Sequence, residues 1–127
     1  MSKLVELTAH SEGNFRVFLW LQLADRYERT GDYRNAEKIF TEAYRDAKTR
    51  RPRAIKSYLF NLSGTVYDAY DKLGYFYLRL GNLRRAEELF NESRQIRETV
   101  FPARSIHRIH PIVGLGSLSL RKGEYEK

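Results

Sequence analysis

The feature that most constrains the fold of this chain is a spaced set of small and aromatic residues that occurs twice. The second occurrence consists of Tyr70, Leu73, Gly74, Tyr77, Gly81, Ala86 and Phe90. Its first four members fall at i, i+3, i+4 and i+7, so they share one face of a helix. A turn glycine follows, and then Ala86 and Phe90, four residues apart, indicate a second helix that faces the first. The stretch predicts an antiparallel helical hairpin whose small residues, Gly74 and Ala86, permit close approach.

The same pattern occurs earlier in the chain and, in part, later. The first copy consists of Trp20, Leu23, Ala24, Tyr27, Gly31, Ala36 and Phe40. The partial third copy consists of Ile112, Leu115, Gly116, Ser119 and Gly123. We interpret Gly116 as the packing glycine of this copy and Gly123 as the start of its hairpin turn. The sequence therefore predicts two complete hairpins and a partial third.

Copies one and two, which Pro52 and Pro102 close, resemble the tetratricopeptide repeat, whose signature is a spaced series of Trp, Leu-Gly, Tyr, Ala, Phe and Pro. The resemblance implies an all-α protein, an α-solenoid of antiparallel helical hairpins. The turn glycines at 31, 81 and 123 are 50 and 42 residues apart, against roughly 34 in the ordinary repeat. A lengthened repeat with His110-Pro111 before its leading helix looks like the kinesin-light-chain type of tetratricopeptide repeat.

The chain is long enough for one domain. We divide its 127 residues into repeat 1 at about 14–50, an inter-repeat insertion at about 51–65, repeat 2 at about 66–100 and a partial repeat 3 at about 109–127. Helices are predicted at about 14–30, 34–49, 54–62, 66–80 and 83–100, with loops at 49–53 and 101–108. Ser63-Gly64 is either a kink or the start of the helix assigned to 66–80. Leu4, Val5 and Leu7 are expected to cover the first repeat. The chain is interpreted as the front end of a longer array, and a closing role for the third leading helix is the alternative.

Composition and motifs argue against several classes of function. The absence of cysteine excludes disulfides and thiolate metal sites. No run of 18 apolar residues and no secretory h-region occur, so an intracellular, cytoplasmic protein without membrane association is expected. No nucleotide-binding or zinc-protease motif is present. We interpret His107 and His110 as loop residues, and Asp68 and Asp71 as solvated carboxylates. No enzyme activity, metal or cofactor is expected.

The resemblance implies that each leading helix lines a concave groove with the side opposite its packing signature. The implied groove residues are Phe18, Gln22, Asp25 and Arg29, then Asp68, Lys72, Tyr75 and Arg79, then His110, Gly114, Ser117 and Arg121. The predicted peptide-binding site consists of Phe18, Gln22, Asp25, Arg29, Lys72, Tyr75, Arg79 and Arg121.

An arginine stands two residues before each of the three glycines, at Arg29, Arg79 and Arg121. Stacked hairpins would align these arginines in one row, which suits an acidic protein or peptide partner because guanidinium groups bind carboxylates bidentately. The alternative is that arginine recurs only because it suits helix C-termini. The places that a chaperone clamp would need for Lys and Asn hold Leu21, Gln22 and Asp25, which does not support chaperone binding.

The formal charge of +7 suggests a second kind of partner, nucleic acid. The candidate backbone-binding residues are Lys48, Arg50, Arg51, Arg53 and Lys56, and a second basic set consists of Arg94, Arg97, Arg104 and Arg108. A solvated edge at helix C-termini is the competing interpretation. Two further alternatives stay open: a regulatory front end for an effector domain, and a homodimer through the open edge of the third repeat.

Overall fold

The computed structural model describes residues 14–50, 62–101 and 103–125. They form α1 (Asn14–Arg29), α2 (Tyr33–Arg50), α3 (Leu62–Leu80), α4 (Leu83–Val100), a 3-10 turn (Ile106–Arg108) and α5 (Ile109–Tyr125). No β-strand occurs among these described residues. The predicted fold class, an all-α repeat of antiparallel helical hairpins, is confirmed. The lead-in residues Leu4, Val5 and Leu7, nearly all of the helix predicted at 54–62, and the prolines Pro52 and Pro102 lie outside the described ranges.

Helix boundaries match the sequence-based prediction closely for α1 and α4 and less closely for α2 and α3. α4 has the predicted bounds, whereas α2 ends one residue beyond its predicted end at about 49, so that Arg50 of the predicted loop is helical. α3 begins four residues before the predicted start, so Ser63 and Gly64 lie inside the helix. Helix propagation adds a backbone hydrogen bond for each residue fixed, so an established helix extends through residues of weak propensity.

Both hairpin turns are built in the same way around a left-handed glycine. Gly31 has φ +86° and Gly81 has φ +89°, a region that favours glycine. The backbone amide of the next residue donates to a carbonyl in the last turn of the preceding helix. Asp32 N–H donates to the Tyr27 carbonyl, and Asn82 N–H donates to the Tyr77 carbonyl, both at 2.9 Å. This bonding pattern ends α1 and α3 and satisfies their last carbonyl groups.

The residue after each glycine also begins the following helix. Asp32 Oδ1 accepts from the Asn35 amide at 3.2 Å, and Asn82 Oδ1 accepts from the Arg85 amide at 3.3 Å. These N-caps satisfy amides that have no partner within the new helix.

The prediction of a hairpin turn at Gly123 is wrong. α5 continues through Gly123 to Tyr125, and the glycine does not adopt positive φ. The position after Gly123 holds Glu124, not the Asp or Asn that caps α2 and α4. Without a short polar cap to start a second helix, the uninterrupted helix is favoured.

The chain divides into two compact units, Met1–Ala69 and Tyr70–Lys127. In the first unit, α1 buries Val17, Leu21 and Ala24, and α2 buries Ala36, Phe40, Ala43, Tyr44 and Ala47. In the second unit, one hydrophobic cluster consists of Leu78, Ala86, Phe90 and Leu118. Among the helices of the described ranges, none has the length and apolar character needed to cross a membrane.

Candidate functional site

The exposed face of α1 carries all the site residues predicted for the first hairpin. Phe18, Gln22 and Arg29 are exposed, and Asp25 is half-buried. A concavity of about 500 Å³ lies against this face. Its lining residues are Gln22, Leu23, Asp25, Arg26, Arg29 and Thr30. Three of the four predicted residues therefore line one open depression.

The burial pattern of α1 explains why this face is available. Val17, Leu21 and Ala24 fall at i, i+4 and i+7 and are buried in hairpin 1, which consists of α1 and α2. Arg26 and Arg29 lie in the last turn of α1, where cations are favoured by the helix dipole. The face opposite the buried stripe thus ends in two guanidinium groups beside an apolar side chain, Leu23, which is 40% exposed.

The site residues of α3 have two different environments. Lys72 and Arg79 are exposed, whereas Tyr75 is half-buried. The Tyr75 hydroxyl donates to the His110 carbonyl at 3.1 Å, and its ring meets the Phe90 ring edge-on, with centroids 4.9 Å apart. Burial raises the pKa of the Tyr75 phenol above its ordinary value, and the negative charge of Asp71 acts in the same direction. Tyr75 therefore joins α3, α4 and α5.

On α5, the two glycines do not occupy the faces that the sequence predicts for them. Gly114, expected in the groove, is buried, and a Cβ atom there would overlap the Phe90 ring. Gly116, expected to be the packing glycine, has open space where its Cβ atom would lie. The reason is that α5 packs on α4, the trailing helix of the preceding hairpin, so a different face meets the neighbour.

The three arginines that precede the repeat glycines occupy comparable positions on their own helices. Arg29 is the last residue of α1 and Arg79 the next to last of α3, and both are exposed. Arg121 is half-buried near the end of α5. Their alignment in one row stays a prediction.

A buried ion pair in hairpin 2, which consists of α3 and α4, was not foreseen from the sequence. Arg97 Nη2 donates to Asp71 Oδ2 at 2.6 Å, and Arg97 Nε donates to the hydroxyl of buried Ser93 at 3.1 Å. Only 1% of the Arg97 side chain and 5% of the Asp71 side chain are exposed. The interpretations of Asp71 as a solvated carboxylate and of Arg97 as part of a basic edge are therefore wrong.

Arg108 is not a free member of the second basic set, because its guanidinium binds backbone carbonyls at the C-terminal end of α4. Its guanidinium donates to the Glu98 carbonyl at 2.9 Å and to the Phe101 carbonyl at 2.6 Å. A helix C-terminus leaves carbonyl groups without partners, and a cation satisfies both the hydrogen bonds and the dipole. Arg94 and Arg104 remain exposed from that set.

The first basic set falls largely outside the described ranges. Lys48 is exposed on α2, with its ammonium 5.3 Å from the centroid of the Tyr44 ring, and Arg50 is the last residue of that helix. Arg51, Arg53 and Lys56 are not among the described residues. Nucleic-acid binding through this set stays a prediction.

A metal site is not formed within the described ranges, where no group of three or more His, Asp or Glu side chains is placed to hold an ion. The backbone of His107 lies in the 3-10 turn, and His110 lies in the first turn of α5, with its carbonyl engaged by Tyr75.

Comparison with known proteins supports the repeat pattern. A family model described as tetratricopeptide repeat matches residues 68–111, and a second model with the same description matches residues 19–45. Together the two matched segments cover more than half of the chain. Searches of curated proteins and of solved structures found no match. The kinesin-light-chain type of repeat stays a prediction.

Proposed function

The chain belongs to the tetratricopeptide repeat family, and we propose that it is a non-enzymatic protein-interaction module that binds an acidic peptide segment. Members of this family generally bind protein partners. The observation that carries the proposal is the open concavity on α1, where side chains of different chemistry converge. Gln22 offers hydrogen bonds, Leu23 offers apolar contact, and Arg26 and Arg29 offer positive charge.

The charge of the exposed leading-helix residues favours an acidic partner over a basic one. Arg26 and Arg29 lie beside a single acid, Asp25, at the concavity. On α3, Lys72 and Arg79 are exposed and add two further positive charges. Guanidinium groups bind carboxylates through two parallel hydrogen bonds, so Arg29 and Arg79 suit Asp and Glu side chains of a bound segment.

Apolar contact supplies the second part of the proposed recognition. Phe18 is 41% exposed and Leu23 is 40% exposed on α1. Removing apolar area from water contributes about 25 cal/mol per Å², and charged contacts mainly set orientation and association rate. We therefore expect the preferred segment to combine acidic residues with an apolar side chain.

The test is binding of the full chain to an array of immobilised peptides graded in Asp and Glu content, followed by titration of the best peptide. Changing Arg29, Arg79 and Arg121 to Glu is expected to weaken binding by about a hundredfold or more, since attraction becomes repulsion at three positions. Circular dichroism would first establish that the variant is helical.

A charge-matched control is available on the trailing helices. Arg34, Arg84 and Arg94 are exposed on α2 and α4, so their change to Glu alters net charge equally. This control is expected to retain affinity within a few-fold. Equal loss in both triple variants would show that net charge alone drives binding and would contradict the site.

Titration with a DNA duplex in place of the peptide distinguishes peptide binding from nucleic-acid binding. Binding of a DNA duplex through the phosphate backbone falls steeply between about 50 and 200 mM salt. Changing Lys48 and Arg50 to Glu would weaken duplex binding if the basic set carries the function. Duplex binding tighter than peptide binding and unaffected by the Arg29, Arg79 and Arg121 changes would overturn the proposal.

A further inference from the structure

An acidic side chain, Asp25, lines the α1 concavity together with Gln22 and the guanidinium groups of Arg26 and Arg29. Asp25 lies three residues after Gln22 and four before Arg29, and side chains at these spacings are neighbours on a helix surface. It is half-buried, whereas the other three residues are exposed. A segment that reaches the two arginines therefore also passes beside a carboxylate.

The equivalent surface of α3 has a different charge pattern. Three positions on α1 have equivalents 50 residues later on α3: Gln22 and Lys72, Asp25 and Tyr75, Arg29 and Arg79. No acidic residue occurs in the sequence between Lys72 and Arg79. The Tyr75 hydroxyl donates to the His110 carbonyl at 3.1 Å, so it has a partner within its own unit. Of the two surfaces, only that of α1 places a carboxylate between its polar and its cationic residue.

The cations and the acid of the concavity favour different groups on a bound segment. Arg26 and Arg29 attract a carboxylate of the segment, which a guanidinium group binds through two hydrogen bonds. A second carboxylate beside the first would approach Asp25, and like charges repel at short range. A side-chain amide in that place would instead donate a hydrogen bond to Asp25, and a charged acceptor strengthens such a bond. The described lining carries two cations and one acid, a net charge of +1 that one carboxylate balances.

We propose that Asp25 determines which acidic segments the α1 concavity accepts. The preferred segment has one carboxylate flanked by side chains that donate hydrogen bonds, and a run of acidic residues is disfavoured. This inference rests on the proposed function, because it concerns the same site. The arginines supply the attraction, and Asp25 supplies the repulsive element that discriminates between acidic segments.

The experiment compares two labelled forms of one peptide, the tightest binder from the immobilised array, on the full chain. Both forms keep the acidic residue that a double-mutant cycle couples to Arg29. The two residues that flank it are Asp in one form and Asn in the other, which differ in charge but hardly in size. Fluorescence anisotropy would measure both affinities. Wild type is expected to bind the Asn-flanked form at least about fivefold more tightly.

Asp25→Asn tests the residue itself. Without its carboxylate the repulsion disappears, so the preference for the Asn-flanked form is expected to shrink to about twofold or to reverse. Glu28→Gln is the matched control, because it removes the same charge from α1 and Glu28 does not line the concavity. This control is expected to keep the wild-type preference. A variant that only disturbed α1 would weaken both forms alike, so the ratio of the two affinities reports the role of Asp25.

Three results would overturn the role of Asp25 while acidic-peptide binding itself persists. They are equal or tighter binding of the Asp-flanked form by wild type, an unchanged preference in Asp25→Asn, and an equal loss of preference in Glu28→Gln. In each case the proposed function would stand. If no peptide of the array bound, or if none of its acidic residues coupled to Arg29, the proposed function would fail on α1 and this inference would fail with it.

Discussion

Hairpins 1 and 2 share one backbone pattern but differ in what they bury at three equivalent positions. Hairpin 1 buries Leu21, Ala43 and Ala47, and hairpin 2 buries Asp71, Ser93 and Arg97 at positions 50 residues later. The phenylalanine and alanine that face the leading helix are buried in both copies. The difference shows that the repeat signature specifies the hairpin while leaving part of the interface free to be apolar or ionic.

The two solutions have different energetic consequences. An apolar interface gains free energy from burial and tolerates apolar substitutions that conserve volume. A buried ion pair brings a desolvation cost that only good geometry and further hydrogen bonds offset. Arg97 meets both conditions through Asp71 and Ser93. Hairpin 2 is therefore expected to be more sensitive to loss of one partner than to replacement of both.

The largest expected effect comes from removing one charge of the buried pair. Arg97→Met retains most of the side-chain volume but leaves the Asp71 carboxylate without its cation, which is expected to destabilise the chain by about 3–5 kcal/mol. Urea unfolding followed by circular dichroism would measure the change.

The matched control replaces both charges. Asp71→Leu combined with Arg97→Met makes the interface apolar, as in hairpin 1, and is expected to lie within about 1–2 kcal/mol of wild type. A double variant as unstable as Arg97→Met alone would show that volume, not charge, governs this interface.

A smaller effect is expected where hairpin 1 has Ala24 and hairpin 2 has Gly74. The Phe90 ring lies 2.9 Å from the Cβ position of Gly74, so Gly74→Ala requires the ring to shift. We expect a loss of about 1–2 kcal/mol, even though alanine exceeds glycine in helix propensity by about 1 kcal/mol.

Gly116→Ala is the control for Gly74→Ala, because no atom other than those of its chain neighbours and its own helix backbone lies within 4 Å of its Cβ position. Helix propensity then acts alone, and stability is expected to rise by up to about 1 kcal/mol. Thermal unfolding of both variants would measure these changes in stability. Higher stability of Gly74→Ala than of wild type would contradict the close approach of α4 to α3 at Gly74.

The smallest effect concerns the ion pair of hairpin 1. Arg16 Nη2 lies 2.8 Å from Asp46 Oδ1, with 34% and 14% of the two side chains exposed. Arg16→Ala is expected to cost about 0.5–1 kcal/mol, since partly exposed pairs are screened by solvent. Arg45→Ala, which removes the more exposed pair to Glu42 at 3.7 Å, should have almost no effect. If Arg16→Ala lowered the free energy of unfolding by more than Gly74→Ala does, the expected order of effects would be wrong.

The fold could be predicted because its determinants are local. Gly31 and Gly81, each followed by a short polar cap, fix the turns, and residues at helical spacing fix the packing faces. The Asp71–Arg97 pair could not be found this way, because its partners are 26 residues apart and look like ordinary surface charges. Their burial becomes visible only when hairpin 2 is aligned with Leu21 and Ala47 of hairpin 1.

The third repeat shows a second limit of the signature. The pattern assigns close packing to Gly116, but α5 meets the Phe90 ring through Gly114. α5 packs on the trailing helix of the preceding hairpin, whereas the signature describes mainly the contacts within one hairpin. The continuation of α5 through Gly123 could have been predicted from the next residue. Glu124 is not a short polar residue and cannot cap a following helix as Asp32 and Asn82 do.

Amide chemical shifts of the isotope-labelled full chain, recorded while the best acidic peptide from the array is added, test the proposed site most directly. The account predicts that the largest shifts occur at Gln22, Arg29, Lys72 and Arg79, with Lys48 and Gly116 little affected. Shifts confined to the residues around Lys48 would contradict the proposed site on the leading helices.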